Sequence, residues 1–362
     1  MLQALITNEI ARTNPNFVLI LFTFSSNLVK TLQYLLVQPF DVNNIFSVLP
    51  ADFEFQALQL FNWQYQQNPV YRKWCDLTIS DPSEIKTIEE IPALPVGFFK
   101  TQTIQTGSFK LTNFFESSGT TQTTNSRHWV RDMDLYRKSF NNAFELFYGK
   151  ALDWCIIGLL PAYLERQHSS LVLMVDELIR DSKHSESGFY LYDHEKLSNT
   201  LQNLEANKQK TLLIGVTFAL LDFAESFPQQ LSYTTIMETG GMKGRRREMT
   251  RLEVHDQLTK QLGVNKIHSE YGMTELLSQA YSKGDGIFVC PPWMKILVRD
   301  EEDPLTVRTY GRGVINVIDL ANADSAAFIA TDDVGMIYED GSFEVFGRLD
   351  NSDIRGCSLL VV

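Results

Sequence analysis

The sequence predicts an α/β fold, in which a parallel sheet of alternating strands and helices is followed by a β-rich subdomain. Three observations carry this. Apolar runs at 154–160 (WCIIGLL), 170–175 (SLVLMV) and 211–216 (TLLIGV) have strand length, and helical segments separate them, as in a parallel sheet. From about residue 286 the pattern changes to short strands with turns, at 286–290, 295–299, 313–319, 336–338 and 343–346. With 44% hydrophobic and 21% charged residues over 362 positions, the composition is globular and the chain is long enough to bury an extensive core.

Along the chain, the apolar run Phe17–Phe24 and the segment 28–37 (LVKTLQYLLV) are interrupted by Ser25, Ser26, Asn27, Lys30 and Gln33. That is too broken for a spanning helix, which needs about 20 mostly apolar residues. Glu9 and the single Arg12 ahead of it fit a signal peptide poorly. Residues 1 to about 45 are expected to be a peripheral extension, packed on the domain or on a membrane surface. Residues 51–80 read as helical, with a dense aromatic run that Asn68-Pro69 ends. Ile91 to Val96 is Pro-rich and extended, because proline moves its predecessor out of the helical region. Leu111–Phe115 reads as a strand and Asp132–Gly149 as a helix, with a hydroxyl-rich loop between them.

The net charge of −12 argues against a nucleic-acid binder, which needs a basic face. Lys243, Arg245, Arg246 and Arg247 form a local basic run, read as a solvated loop or helix start. Cys75, Cys155, Cys290 and Cys357 show neither CxxC nor zinc-ligand spacing, and free thiols in a cytoplasmic protein fit better than a disulfide framework.

Three segments have the residue types for nucleotide chemistry. In Ser117-Ser118-Gly119-Thr120-Thr121, glycine lets the backbone approach a ligand while N–H groups and hydroxyls cradle phosphate oxygens. In Tyr271-Gly272-Met273-Thr274-Glu275, an aromatic ring can stack on a base, a hydroxyl can reach phosphate and a carboxylate can hold Mg²⁺. Read locally, the same residues also fit a turn and helix start, with Thr274 as cap. In Thr331-Asp332-Asp333, Asp340-Gly341 and Gly347-Arg348-Leu349-Asp350, carboxylates suit ribose hydroxyls and arginine suits phosphate. Two tight turns of a β-meander fit these last segments equally well. His128 and His268 flank the first two segments and either line a site or serve as satisfied core residues.

In this order the three segments, spanning 115–356, resemble the adenylate-forming superfamily of acyl-CoA synthetases, adenylation domains and luciferases. The LPVGFFK stretch at 94–100 and the C-terminal Asp353 to Val362 resemble more closely the LuxE-type acyl-protein synthetases. The resemblance implies an adenylate-forming-enzyme large domain with mixed α/β sheets and a β-rich subdomain over 46–356, followed by a tail, 357–362. Most of the superfamily continues into a small mobile domain with a catalytic lysine. Here residues 351–362 follow the Gly347–Asp350 stretch and no lysine follows Lys295, so that domain is expected to be lacking.

The resemblance further implies ATP and Mg²⁺ as cofactors. Ser117, Ser118, Gly119, Thr120 and Thr121 would wrap the ATP phosphates, and Gly240 and Gly241, within Glu238-Thr239-Gly240-Gly241, would line the adenine side. Tyr271 and Gly272 would flank adenine, Thr274 would touch phosphate and Glu275 would bind Mg²⁺. Asp333 or Asp332 would hold ribose, the family's TGD being TDD here, and Arg348 would meet ribose or phosphate. Cys357 sits where the family carries the acyl group as a thioester. The implied activity is ATP-dependent activation of a carboxylic acid, a fatty acid in the luminescence members, and its transfer to Cys357 for an acyl-reductase or carrier-protein partner. The alternatives are direct transfer to CoA or a carrier protein, and a non-catalytic nucleotide-binding subunit.

Overall fold

The computed structural model describes residues 40–42, 44–117, 124–160, 167–240 and 249–349. Among the described residues, the first α-helices are α1 (Phe53–Gln67) and α2 (Pro69–Thr78). They part at Asn68 because Pro69 cannot donate to a continuing helix. The Asn68 side chain accepts from the Val70 and Tyr71 amides at 3.1 and 3.0 Å, an N-cap of about 1 kcal/mol. The LPVGFFK stretch then gives a short strand β1 (Leu94–Pro95) and one helical turn α3 (Phe98–Thr101).

A hairpin of β2 (Asn113–Glu116) and β3 (Arg127–Val130) brackets the hydroxyl-rich loop. The chain continues through α4 (Met133–Tyr148), β4 (Cys155–Leu159), α5 (Ser170–Ser182), β5 (Gly188–Phe189), α6 (His194–Ala206), β6 (Thr211–Gly215) and α7 (Thr217–Ser226). Next come β7 (Thr234–Glu238), α8 (Arg251–Leu262), β8 (Ile267–Tyr271), β9 (Ala280–Ser282), β10 (Phe288–Val289) and β11 (Met294–Arg299). The last elements among the described residues are β12 (Val307–Arg308), β13 (Gly311–Asp319), β14 (Phe328–Ile337) and β15 (Phe343–Arg348).

Strands β5, β4, β6, β7 and β8 are parallel neighbours, and β9 turns the sheet antiparallel toward β10, β15, β14, β13, β11 and β12. Strands β4 and β6 are buried along their whole length, which is why they read as unbroken apolar runs. One face of this parallel region carries α6, α7 and α8, and Leu197, Leu201, Leu220, Phe223, Leu258 and Leu262 pack there in one core cluster with Ile157, Leu213 and Ile236. On the other face Tyr281 meets the Met174 sulfur of α5 at 3.9 Å and the Tyr148 ring of α4 at 5.4 Å.

The segment 170–175, expected to be a strand, is the start of helix α5. Ser169 caps it by accepting from the Val172 amide, and burial follows a helical face through Val172, Val175, Leu178 and Ser182. The apolar run Leu171–Val175 is one part of a longer helical period, and Ser169-Ser170 before it is the start signal. Strands β7 and β8 are not signalled by the sequence, because Thr234, Thr235, His268, Ser269 and Glu270 hide these buried strands among polar residues.

The β-rich end is shaped by two register shifts. One lies between Val314 and Asn316 on β13, and it frees the Ile315 carbonyl to accept from the Thr331 hydroxyl at 2.8 Å and from Arg299 at 3.0 Å. The other lies between Val334 and Gly335 on β14. A Cβ on Gly335 would stand 2.3 Å from the Glu344 carbonyl oxygen, so only glycine permits that crossing. Strand β1 adds in parallel to β14, which ties the LPVGFFK segment to the strand that carries Asp333. Among the described residues no helix is long and apolar enough to cross a membrane.

Candidate functional site

Strand β8 ends at Tyr271, and the segment that follows it has no regular structure until β9, so the reading of Thr274 as a helix cap is not what forms. Buried side chains hold this segment instead. His128 Nδ1 lies 2.9 Å from the Thr274 carbonyl, and Asn322 Nδ2 donates to the Glu275 carbonyl at 2.7 Å. Asp319 accepts from the Leu277 and Ser278 amides at 2.8 and 3.0 Å and from the Ser278 hydroxyl at 2.6 Å. Burial pushes the Asp319 carboxyl up to about 6, against the pull of those donors.

Two polar chains meet at the segment. In the first, the Tyr271 hydroxyl donates to Asp333 Oδ2 at 2.9 Å, and Arg348 Nε lies 3.3 Å from Asp333 Oδ1. Asp333 is 7% exposed and its register partner across the sheet is Arg348. Its neighbour Asp332 is exposed. An ionised carboxylate has about four lone-pair sites, so two bonds leave capacity for ribose hydroxyls. The Tyr271 ring is itself buried, edge-on to Phe288 and Phe343 at 6.0 and 5.6 Å.

In the second chain, the Ser126 amide donates to the Ser117 hydroxyl at 3.0 Å, and the Ser126 hydroxyl donates to Glu275 Oε1. Thus Ser117, at the mouth of the hydroxyl-rich loop, is linked through one residue to Glu275. Burial raises the Glu275 carboxyl, while the Ser126 hydrogen bond and the charges of Arg348 and Lys100 lower it. Arg348 therefore acts on both carboxylates, and Ser117, Tyr271, Glu275, Asp333 and Arg348 share one place. Ser118, Gly119, Thr120, Thr121, Gly241, Cys357 and the basic run 243–247 lie outside the described residues.

Glu275 fits a magnesium ion on its own chemistry. Burial holds this carboxyl above its usual range even with the Arg348 and Lys100 charges nearby, and a bound cation would favour its ionised form. Among the described residues no group of three His, Cys, Asp or Glu could hold a metal, and Mg²⁺ needs no such cage when one carboxylate is joined by substrate phosphates.

Gly240 takes φ +74°, and its amide donates to Glu238 Oε2 at 2.7 Å. Burial acts to raise Glu238, but hydrogen bonding from His255, the Arg251 charge and the Ser269 and Gly240 donors together hold it at about 2. Glu270, directly before Tyr271, is pushed up to about 8 by burial and by the Glu238 charge. His268 meets the Tyr148 hydroxyl at 3.1 Å, away from the loop, whereas His128 touches it.

Sequence reading missed Ser126, Asn322 and Asp319 as parts of this site and gave Lys100 no role. Ser126 closes the hydroxyl-rich run, which was a usable signal. Asn322 and Asp319 lie in VIDLAN, where nothing local marks them.

No protein-family model matches the chain. The long-chain-fatty-acid–luciferin-component ligase of Aliivibrio fischeri is 24% identical to it over 352 residues, spanning 87% of this chain and 91% of the relative. A crystal structure of 2-hydroxyisobutyryl-CoA ligase with 2-HIB-AMP and CoA, in the thioesterification state, superimposes with a TM-score of 0.61 at 15% identity. That match covers 87% of this chain and 75% of the ligase. The same ligase in the postadenylation state with 2-HIB-AMP gives 0.60 at 15% identity, over 83% and 69% of the two chains.

Proposed function

We propose that this chain, which has the adenylate-forming-ligase fold and is similar over most of its length to a fatty acid ligase, activates a carboxylic acid with ATP. The acyl group then passes from the adenylate to Cys357 as a thioester. The observation that carries the reading is the meeting of Tyr271–Asp333–Arg348 and Ser117–Ser126–Glu275 around one irregular segment.

Asp333, held by Tyr271 and Arg348, accepts the ribose hydroxyls of ATP. Arg348 is largely exposed and can follow the ribose or the phosphate. Ser117 and the loop after it wrap the phosphates, and Thr274 offers a hydroxyl to them. Glu275 holds Mg²⁺, which when bound neutralises charge on the phosphates. The substrate carboxylate attacks the α-phosphorus, the bond to the β-phosphate oxygen breaks and pyrophosphate leaves. The thiolate of Cys357 then attacks the acyl carbonyl and AMP leaves with the bonding pair. The described cysteines are poor rivals for that role. Cys75 and Cys155 are buried, and burial raises the thiols of Cys75, Cys155 and Cys290, to about 12 for Cys75 and about 11 for Cys155. An acyl-reductase is the partner chemistry that would consume such a thioester.

The test is incubation with Mg·ATP and a panel of labelled fatty and aryl acids, followed by mass spectrometry and hydroxylamine. Hydroxylamine-labile label on Cys357, lost in Cys357→Ser, is the expected result. Label that persists in Cys357→Ser removes the acceptor assignment. Full turnover of Cys357→Ala with added CoA replaces it with direct transfer.

A further inference from the structure

We propose that His128 and Asn322 are positioning residues that fix the Thr274–Glu275 backbone, coupled through one internal water shared with Ser325. The proposal deepens the reading above, since it concerns the segment assigned there to phosphate and Mg²⁺.

The geometry comes first. The Thr274 and Glu275 carbonyls lie outside helix and sheet, so neighbouring elements must hold them. His128 reaches from β3, 146 residues away in sequence, and Asn322 from the turn after β13, 47 residues away. Both side chains are fully buried. The turn that carries Asn322 is itself rigidly docked. Gln64 donates to the Asn322, Ala323 and Ser325 carbonyls at 3.0, 3.1 and 3.2 Å and accepts from the Ala327 amide at 2.9 Å.

The hydrogen-bond inventory then fixes protonation. A carbonyl only accepts, so His128 Nδ1 carries the proton and Nε2 is a lone-pair acceptor in the neutral ring. Asn322 spends its Nδ2 on Glu275, which turns Oδ1 to the other side. His128 Nε2, Asn322 Oδ1 and the Ser325 hydroxyl oxygen are buried with no protein partner in hydrogen-bond geometry, while the Asn322 side chain lies close enough to His128 to act on its imidazole, so in the neutral ring two acceptors face each other. The same three residues line one small cavity, whose other walls include Trp129, Leu277 and the charged residues Arg131, Asp132 and Asp324. Two of these atoms can only accept, and the single Ser325 hydroxyl proton can serve only one of them. A water satisfies all three at once, donating to His128 Nε2 and Asn322 Oδ1 and accepting from Ser325. The two clamps on Thr274 and Glu275 thereby become one connected network.

Two measurements on the full chain test this. In the first, histidine labelled with ¹⁵N reports the ring tautomer, and the His128 signal is assigned by its loss in His128→Asn. The Nδ1–H tautomer is expected, and the Nε2–H tautomer overturns the proposal. This readout needs no catalysis, so it survives even if the chain activates no acid. In the second, Mg²⁺-dependent ATP binding is measured by calorimetry beside the melting temperature. His128→Leu removes the donor to Thr274, and a loss of about tenfold in affinity is expected. His128→Asn supplies an amide N–H at nearly the Nδ1 position and restores affinity to within a few-fold, although both variants lower the melting temperature similarly. Affinity that follows the melting temperature alike in both variants, or changes in neither, means that His128 only fills space.

Discussion

Glu270 offers a perturbation whose sign can be worked from the structure. It is 9% exposed, stands directly before Tyr271, and burial together with the Glu238 charge lifts its carboxyl from 4.5 to about 8. Between those values the folded chain holds a proton that the unfolded chain has released. Its stabilising contribution is therefore fully present below about pH 4.5 and is lost as pH rises through about 8. Each pH unit well inside the window costs about 1.4 kcal/mol, so a step from pH 6 to pH 8 costs roughly 2 kcal/mol. His128 and His268 act with the opposite sign. Burial lowers both to about 4, so they add stability as pH rises toward 6.5. The wild-type profile mixes these effects, and the difference from Glu270→Gln isolates the carboxyl. Urea denaturation followed by tryptophan fluorescence across pH 5–9 measures it. The expected result is a wild-type stability that falls relative to Glu270→Gln from pH 5 to pH 8 and then runs parallel. Parallel profiles throughout would refute the buried, protonated assignment.

Two further substitutions separate buried from exposed polar contacts. Tyr271→Phe removes a buried hydrogen bond to a carboxylate and is expected to cost about 1.5–3 kcal/mol in urea denaturation, whereas Arg348→Ala costs under about 1 kcal/mol because its side chain is 76% exposed. Arg348→Ala is nonetheless expected to weaken ATP binding, measured by calorimetry. Gly335→Ala drives a methyl group into the Glu344 carbonyl, with an expected loss of about 1–3 kcal/mol and weaker ATP binding, since the shift moves Asp333 two residues away.

Much of this arrangement is legible in the residues, for physical reasons. Cys155–Leu159 and Thr211–Gly215 announce themselves because strands buried on both faces must be apolar throughout. Asn68-Pro69 marks a helix break because proline forbids continuation. The three chemical segments were visible as residue types, but their meeting was not, since Tyr271 and Asp333 are 62 residues apart and a pairing of that range leaves no local period. The segment 170–175 misled because the five apolar, partly β-branched residues after Ser170 fit a strand and a buried helix face alike. Strand β8 was hidden because His268 and Glu270 turn polar side chains into the core, where Tyr148 meets the imidazole and the carboxyl keeps its proton at neutral pH. The clamps from His128, Asn322 and Asp319 arise from separate parts of the chain, and only the folded backbone brings them to one loop.

Acid-dependent exchange of labelled pyrophosphate into ATP tests the central claim most directly. With a panel of acids varied in chain length and aryl content, the intact chain should exchange label only when a suitable acid and Mg²⁺ are both present. Asp333→Ala and Glu275→Gln should abolish that exchange while Cys357→Ser leaves it intact. No exchange with any acid, or undiminished exchange in Asp333→Ala and Glu275→Gln, would contradict adenylation at this site.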